Sequence, residues 1–296
     1  MRLIQTWVVA ARPHTLSAGV VPILVGSALA FARHQFSWPL FWLTLAGGML
    51  VQIGANLVDE AADHQGPGSE HKFPAPHKVI ARGLLTPRQV GRGAWAAFGL
   101  ATLIGGWLVV HTGWPLLVLC LASLAVAYAY SAGPLPLGDY ALGEPLVFVF
   151  MGPVMVGGTL YVQAGGVDGP ALTASLPVGA LVTAILMANN LRDVEEDQRN
   201  HRRTLATLLG PSALKAGYAA MVVLAYGVVW GLAGEFGYFG IFLPWLALPL
   251  GLLLAVWAAR GGSREQRHKT LKLTSLHHLL FGVLWAAALA LGADGC

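Results

Sequence analysis

Nine long apolar runs divide this sequence, and each is close to the ~20 residues that a membrane-spanning helix needs. Only 11% of the residues are charged, whereas a soluble globular protein has about 25%. The runs predict an all-α, polytopic membrane protein with nine transmembrane helices in a single domain, 1–296. Their approximate ranges are 15–33, 38–58, 93–111, 114–132, 143–162, 171–190, 213–234, 239–259 and 275–293.

The basic residues fall almost entirely on one side of this nine-span topology. Of the 18 lysines and arginines, only Arg33 falls on the side opposite the N-terminus. Cytoplasmic loops of membrane proteins are enriched in such residues. We therefore expect a cell-membrane protein (inner or plasma membrane) with a cytoplasmic N-terminus and an external C-terminus. Because this topology accounts for the net charge of +4, nucleic acid is not an expected partner.

The same acidic pattern occurs twice, each time at the end of an apolar run. Residues 56–63 and 190–197 both read Asn-Leu-x-Asp-x-x-x-Asp. On a helix, positions i, i+3 and i+7 share one face, so Asn56, Asp59 and Asp63 point the same way, and the second copy does likewise. Amide and carboxylate oxygens are hard ligands that suit Mg²⁺, which commonly bridges to a phosphate. The pattern therefore predicts magnesium binding at the cytoplasmic membrane boundary.

The clustering of acids supports a functional interpretation of these motifs. Half of the 14 acidic residues lie in them: Asp59, Glu60, Asp63, Asp193, Glu195, Glu196 and Asp197. The alternative is that they are solvated side chains where two helices leave the membrane, which would not require a repeated pattern. Acids at such boundaries are functional candidates. The polar stretches that begin with them, about 59–92 and 191–212, are therefore expected to carry function.

Basic residues follow each acidic motif. Lys78 and Arg82 come after the first motif, and Arg202 and Arg203 come after the second. Lysine and arginine together with Mg²⁺ can hold a diphosphate and neutralise the charge of a leaving group. The alternative is that these residues only follow the membrane topology rule. We expect Lys78 and Arg203 to matter most.

An acidic and basic site at the end of a lipid-embedded bundle suits a membrane-soluble diphosphate. The expected chemistry is ionisation of an allylic diphosphate, followed by attack of an electron-rich acceptor on the carbocation. The bundle interior would keep water away from this cation, and aromatic faces could stabilise it. Tyr130 and Tyr161 are the cavity aromatics predicted from the sequence, although packing is the alternative explanation for such residues.

Several stretches resemble the UbiA superfamily of intramembrane prenyltransferases, and the resemblance covers nearly the whole chain. The two most specific stretches are similar to the branch of the family that prenylates 1,4-dihydroxy-2-naphthoate. The stretches are Ala11–Leu16, Tyr130–Gly138, Leu142–Met155 and Asn189–Ala206, of which the last two carry the branch assignment.

The resemblance implies a nine-helix bundle around a central cavity, in which Mg²⁺ promotes transfer of a polyprenyl group to an aromatic acceptor. For the naphthoate branch the transfer is decarboxylative and serves menaquinone biosynthesis. Two Mg²⁺ ions are implied: Asp193 and Asp197 bind one, and Asn56, Glu60 and Asp63, together with Asp59, bind the other. Asp63, Asp193 and Asp197 are implied to be catalytic. The implied diphosphate ligands are Asn56, Lys78, Arg82, Asn190, Arg192, Arg202 and Arg203.

The first motif departs from the family pattern, because Glu60 stands where the family has its first aspartate and Asp59 is an additional acid. Two alternatives stay open. The protein could be a prenyltransferase for another acceptor, such as a different quinone precursor, a tetrapyrrole or a glycerol phosphate. It could also be a transporter, although transporter sites usually lie near the membrane midplane. The sequence does not give the oligomeric state.

Overall fold

A computed structural model describes residues 3–65, 78–236 and 239–292, and over these ranges the chain forms helices and turns without any strand. The helices are α1 (Leu3–Ala10), α2 (Ser17–Ala32), α3 (Trp38–Gln65), α4 (Pro87–Thr112), α5 (Trp114–Ala129), α6 (Gly143–Val149), α7 (Met155–Ala164), α8 (Gly169–Arg199), α9 (Leu205–Leu208), α10 (Pro211–Phe236), α11 (Leu248–Arg260) and α12 (Arg264–Leu291). A π-helical segment, Phe150–Val154, joins α6 to α7, and a 3₁₀ helix, Phe239–Ala247, leads into α11. The expected all-α fold is confirmed.

Seven helical stretches of the described residues are long and apolar enough to cross a bilayer. They are Trp38–His64, Pro87–Thr112, Gly143–Ala164, Gly169–Arg199, Pro211–Gly234, Phe239–Arg260 and Arg264–Leu291. The chain is therefore a multi-pass membrane protein. The other two predicted spans correspond to α2 and α5, which have 16 residues each. Sixteen residues extend about 24 Å, less than the hydrocarbon core of about 30 Å, so the count of nine stays a prediction.

Local sequence signals explain where several helices begin. Thr86 and Gln89 form a reciprocal capping box at the start of α4, and Ser263 and Gln266 do the same at the start of α12. Each pair satisfies two backbone N–H groups that would otherwise lack partners. The Asp168 side chain accepts a hydrogen bond from the Ala171 N–H and caps α8.

Helix α8 lies at the centre of the bundle and packs against α2, α6, α10 and α12. Its contact with the π-helical segment depends on two glycines. A Cβ atom on Gly179 would lie 2.7 Å from the Phe148 carbonyl oxygen, and one on Gly152 would lie 2.9 Å from the Gly179 Cα. The two backbones therefore approach more closely than any larger residue would allow.

Both acidic motifs lie on helix rather than in loops, because α3 continues to Gln65 and α8 continues to Arg199. The helical periodicity assumed from the sequence is therefore present in both copies. The first predicted functional stretch, about 59–92, includes residues 66–77, which lie outside the described residues. The second stretch, about 191–212, is described in full and contains α9.

Candidate active site

A cavity of about 820 Å³ runs between α2, α3, α4, α5, the α6–α7 region and α8. One end is polar and is formed by the two acidic motifs, with Lys78, Arg202 and Arg264 beside them. The rest is apolar, and its lining includes Leu108 on α4 and Leu116 on α5. From Leu116 to Tyr130, α5 alone follows the cavity for about 20 Å. A molecule with a charged head and a long apolar tail matches this shape.

Asn56 and Asp59 of the first motif face the cavity and have defined partners. The Asn56 Nδ2 donates to the Ala11 carbonyl oxygen at 2.8 Å and to the Thr15 Oγ1 at 2.9 Å. Asp59 accepts from an Arg12 guanidinium nitrogen at 2.5 Å and from the Ser131 Oγ at 3.1 Å. The segment before α2 therefore fixes the first half of this motif.

Glu60 and Asp63 occupy different environments. Glu60 is 2% exposed and accepts the Ile80 backbone N–H at 3.1 Å, with Arg12 3.5 Å away. It is not among the described residues that line the cavity. Asp63 lines the cavity and forms an ion pair with Lys78. The geometry thus favours Asp59 and Asp63 over Glu60 as ligands that a substrate complex could reach.

Lys78 is positioned for anion binding at the polar end of the cavity. Burial lowers the pKa of its ammonium group below the ordinary value, although the negative charge of Asp59 opposes this shift. Because the ammonium is poorly solvated here, it gains more from an arriving anion than a surface lysine would.

In the second motif Asn190 and Asp193 line the cavity. The Asn190 Nδ2 donates to Glu144 Oε1 at 2.9 Å. Asp193 accepts from the Arg192 Nε at 2.7 Å and from an Arg264 guanidinium nitrogen at 3.2 Å. The same Arg264 atom donates to Glu196 at 2.9 Å. Helix α12 therefore supplies a cation to the acidic face of α8.

Asp197 completes the motif on the side of α9. It is buried and accepts from an Arg202 guanidinium nitrogen at 3.2 Å, while the Arg202 Nε donates to Asp139 at 2.5 Å. Burial alone would lower the pKa of the Arg202 guanidinium, but the charges of Asp197 and Asp139 outweigh it and raise that pKa. Arg202 is therefore a permanently charged member of the site.

Two predicted diphosphate ligands lie away from the cavity. The side chains of Arg82 and Arg203 are exposed, and neither belongs to the described cavity lining. Arg203 contributes its backbone N–H, which donates to the Asp139 carbonyl oxygen at 2.9 Å. Its sequence neighbour Arg202 lines the cavity. The geometry therefore favours Arg202 over Arg203, the reverse of the sequence-based ranking.

The two predicted cavity aromatics also differ. Tyr130 lines the cavity beside Ser131. Tyr161 lies outside the described lining, and its hydroxyl donates to the Thr112 carbonyl oxygen at 3.0 Å, which ties α7 to the end of α4. Tyr161 thus has a packing role in this structure, whereas Tyr130 is placed to face a substrate.

Sequence reasoning missed three residues that take part in the site. Arg12 reaches Asp59 and Glu60 from a left-handed backbone conformation (φ 53°), which is uncommon for a residue other than glycine. Glu144 contacts Asn190, and Arg264 contacts Asp193. Arg12 and Glu144 lie in stretches that carried the family resemblance, so that signal was available. Arg264 could not be distinguished from the other basic residues of its loop.

The donor set at the polar end can be compared with the needs of Mg²⁺. No group of three or more histidine, cysteine, aspartate or glutamate side chains in the described ranges is arranged to hold a metal ion. Instead, the cavity carboxylates are paired with arginine or lysine. Apart from Glu60, the expected ligands are nevertheless hard oxygen donors that line one cavity: Asn56, Asp59, Asp63, Asn190, Asp193 and Asp197. Such a set fits Mg²⁺ carried with a diphosphate, whose negative charges would engage the arginines and lysines.

Comparisons with known proteins place the chain among its relatives in sequence and fold. The profile of the UbiA prenyltransferase family matches residues 19–281. The chain is 33% identical to 1,4-dihydroxy-2-naphthoate octaprenyltransferase of Mycobacterium tuberculosis (strain ATCC 25618 / H37Rv), over 97% of each chain. The fold is similar to that of a UbiA homolog from Aeropyrum pernix K1 (TM-score 0.69, 16% identity, 92% of this chain and 96% of that one). It is also similar to a UbiA homolog from Archaeoglobus fulgidus bound to GPP and Mg²⁺ (TM-score 0.67, 11% identity, 95% and 99%).

Proposed function

Because the chain belongs to the UbiA prenyltransferase family, we propose that it transfers a polyprenyl group from an allylic diphosphate to 1,4-dihydroxy-2-naphthoate. The reaction is Mg²⁺-dependent, releases pyrophosphate and the naphthoate carboxyl group, and belongs to menaquinone biosynthesis. The name of the M. tuberculosis relative supports this acceptor. The Mg²⁺ and prenyl diphosphate bound by the A. fulgidus homolog support the donor and the cofactor.

One observation carries the proposal: the two acidic motifs and their cations meet at the polar end of a cavity that is otherwise apolar. A prenyl diphosphate has the same division, with a highly charged head and a hydrocarbon tail. The apolar length that α4 and α5 line is far more than a small polar solute would need. A site for an inorganic ion alone would not explain that part of the cavity.

We assign two roles in ionisation of the donor: metal ligation and stabilisation of the leaving group. Mg²⁺, when bound, neutralises the diphosphate and promotes departure of pyrophosphate. Asn56, Asp59 and Asp63 on α3, with Asn190, Asp193 and Asp197 on α8, are the proposed ligands for two ions. Lys78, Arg192 and Arg202 stabilise the charge that develops on the leaving oxygen. The C–O bond electrons leave with pyrophosphate, and an allylic carbocation remains.

The apolar lining then protects that carbocation. Water would capture it, so the cavity wall must keep water out until the acceptor ring attacks. Tyr130 lines the cavity close to Ser131, the hydrogen-bond partner of Asp59. Its ring can stabilise positive charge by a cation–π interaction. Attack by the naphthoate ring carbon that bears the carboxylate forms the new C–C bond, and the electrons of the C–CO₂⁻ bond restore the aromatic ring as CO₂ leaves.

The membrane orientation is part of the proposal. We place the N-terminus in the cytoplasm, the C-terminus outside and the polar end of the cavity at the cytoplasmic face of the cell membrane. The distribution of lysine and arginine supports this arrangement, because Arg33 alone lies on the other side of the nine-span topology. A water-soluble acceptor and Mg²⁺ would then reach the site from the cytoplasm, and the donor would reach it from the bilayer.

The proposal is tested by assaying the purified protein with Mg²⁺, a polyprenyl diphosphate and a panel of acceptors. We expect prenylated naphthoate and released pyrophosphate. Asp63→Asn and Asp193→Asn should each reduce turnover by about a hundredfold or more, the loss expected when a group that stabilises the transition state is removed.

Glu195→Gln is the matched control, because Glu195 lies in the same motif but is 54% exposed and pairs with Arg267 outside the cavity. It should retain turnover. Product from a different acceptor alone would overturn the naphthoate assignment and leave a prenyltransferase. No product from any acceptor, with the protein folded, would overturn the enzyme assignment.

A further inference from the structure

The side-chain amide of an asparagine can turn either its oxygen or its nitrogen toward a ligand site. Only the oxygen can bind a hard cation, so an asparagine that serves as a magnesium ligand needs something to fix its orientation. Asn56 and Asn190 occupy equivalent positions in the two motifs, and both line the cavity. In each case a residue from another part of the chain holds the amide nitrogen.

For Asn190 the residue is Glu144. Its Oε1 accepts a hydrogen bond from the Asn190 Nδ2 at 2.9 Å, and both side chains are buried, with Glu144 4% exposed. A carboxylate offers only acceptors, so it selects the nitrogen end of the amide. The Asn190 oxygen must then point away from Glu144. Glu144 is not one of the described cavity-lining residues, whereas Asn190 is.

The backbone places Glu144 at this point. Helices α6 and α8 run antiparallel: Glu144 meets Asn190, and Gly152 meets Gly179 further along. The close glycine contact holds the two helices together at a fixed separation. At the start of α6, a Cβ on Gly143 would lie 2.9 Å from the Tyr130 hydroxyl oxygen. The N-terminus of α6 therefore packs closely between α8 and the residue that follows α5.

In the first motif, Asn56 is also held by hydrogen bonds through its amide nitrogen. Its Nδ2 donates to the Ala11 carbonyl oxygen and to the Thr15 Oγ1, both acceptors that lie outside α3. Among the residues that the structure describes, its Oδ1 receives a single long contact, 3.5 Å from the Gln52 Nε2. Thus two acceptors from neighbouring structure hold the amide nitrogen, and this fixes the orientation of the Asn56 amide.

We propose that Glu144 is a positioning residue that holds the Asn190 amide with its oxygen toward the cavity, where it binds the Mg²⁺–diphosphate complex. This inference rests on the proposed function and adds to it a residue outside both motifs. Glu144 touches neither substrate nor metal in this arrangement. Glu144 acts through its hydrogen bond with Asn190. The role can therefore be tested by exchanging the donor and the acceptor between these two positions.

The test is a double-mutant cycle in which Mn²⁺ binding in the presence of pyrophosphate is measured by electron paramagnetic resonance. Glu144→Leu removes the acceptor and should weaken Mn²⁺ binding about ten- to a hundredfold, as expected for loss of a partner that orients a ligand. Glu144→Gln still offers an amide oxygen and should bind Mn²⁺ nearly as the wild type does. The Mg²⁺ concentration for half-maximal turnover should follow the same order.

Asn190→Asp places two carboxylates against each other and should weaken Mn²⁺ binding strongly. In the double variant Asn190→Asp/Glu144→Gln, the amide introduced on α6 can donate to the carboxylate introduced on α8. Binding should then recover at least about tenfold, the lower end of the range for such partners. A residue needed only for packing would not give this rescue. If Glu144→Leu does not fold, the comparison of Asn190→Asp with the double variant Asn190→Asp/Glu144→Gln still tests the proposal.

Two results overturn the proposal: unchanged Mn²⁺ binding in Glu144→Leu, or a double variant no better than Asn190→Asp. The failure of the proposed function is a separate result. A wild-type protein that binds Mn²⁺ but forms no product with any acceptor would refute the reaction and leave the orienting role intact. A wild-type protein that does not bind Mn²⁺ at all would refute both.

Discussion

At the scale of single residues, Arg202 and Arg203 are adjacent in sequence but differ in environment. Arg202 is partly buried, lines the cavity and contacts Asp197, whereas Arg203 is exposed and contributes its backbone N–H. We expect Arg202→Ala to reduce kcat/KM by about a hundredfold or more, because a cation beside the leaving group is lost. Arg203→Ala should stay near the wild-type value.

The measurement is steady-state kinetics of pyrophosphate release with both purified variants, and their thermal unfolding should be compared first. An equal loss in the two variants would contradict the environment described here. A larger loss in Arg203→Ala than in Arg202→Ala would favour the sequence-based ranking, in which Arg203 stands above Arg202.

Part of the site could be predicted from the sequence, and the reason is periodicity. The i, i+3, i+7 spacing places Asp59, Asp63, Asp193 and Asp197 on cavity-facing sides of two helices, and all four line the cavity. The same periodicity turns Glu60 away from Asp59, because one residue of helix rotates a side chain by about 100°; Glu60 is an expected ligand through the family resemblance alone. The choice between two adjacent arginines could not be predicted, since it depends on how the chain turns after α8. The ligand and catalytic roles of these residues remain predictions.

At the scale of helices, the packing of α8 against the end of α6 and the π-helical segment depends on Gly179. An alanine Cβ at this position would lie 2.7 Å from the Phe148 carbonyl oxygen, so the backbone would have to shift. We expect Gly179→Ala to lower the free energy of unfolding by about 1–3 kcal/mol, the range for overpacked interiors. It should also reduce turnover, because α6 carries Glu144 toward Asn190.

Gly231→Ala on α10 is the control, since a Cβ there meets nothing within 4 Å. Denaturant unfolding in detergent micelles measures both variants. If Gly179→Ala is as stable as Gly231→Ala, α6 and α8 can move apart without lowering the free energy of unfolding, which would contradict the prediction.

Helix positions were more predictable than helix lengths. Runs of apolar residues identified every long helix, because a bilayer requires about 20 of them. From the sequence, most of the first acidic motif falls in the polar stretch after the second apolar run, but α3 continues past Asp63 to Gln65. Ion pairs such as Asp63–Lys78 stabilise that polar extension, and they join residues far apart in the chain. Hydropathy carries no information about such pairs.

At the scale of the whole molecule, the cavity sets a limit on the donor. Cys120 lines it ten residues before Tyr130, which is about 15 Å along α5. We expect Cys120→Trp to fill this part of the cavity and to reduce kcat/KM for long prenyl diphosphates at least tenfold, about 1.4 kcal/mol. Geranyl diphosphate, whose tail is short, should still react.

A series of donors of increasing chain length measures this effect, and Cys120→Ala is the control that leaves the cavity open. Equal use of long donors by Cys120→Trp and Cys120→Ala would mean that the tail lies elsewhere, for example along the lipid-facing surface.

The division of the cavity into a charged end and an apolar length also affects what happens after the reaction. Its two products differ sharply in polarity: pyrophosphate belongs in water, and a prenylated ring without its carboxyl group belongs in lipid. For the proposed reaction, the polar end of the cavity suits release of pyrophosphate to water and the apolar length suits release of the prenylated ring to lipid. The products are thereby separated as they form and do not meet again at the site. We infer that a bundle built in this way makes the transfer irreversible in practice by partitioning, in addition to the chemical driving force.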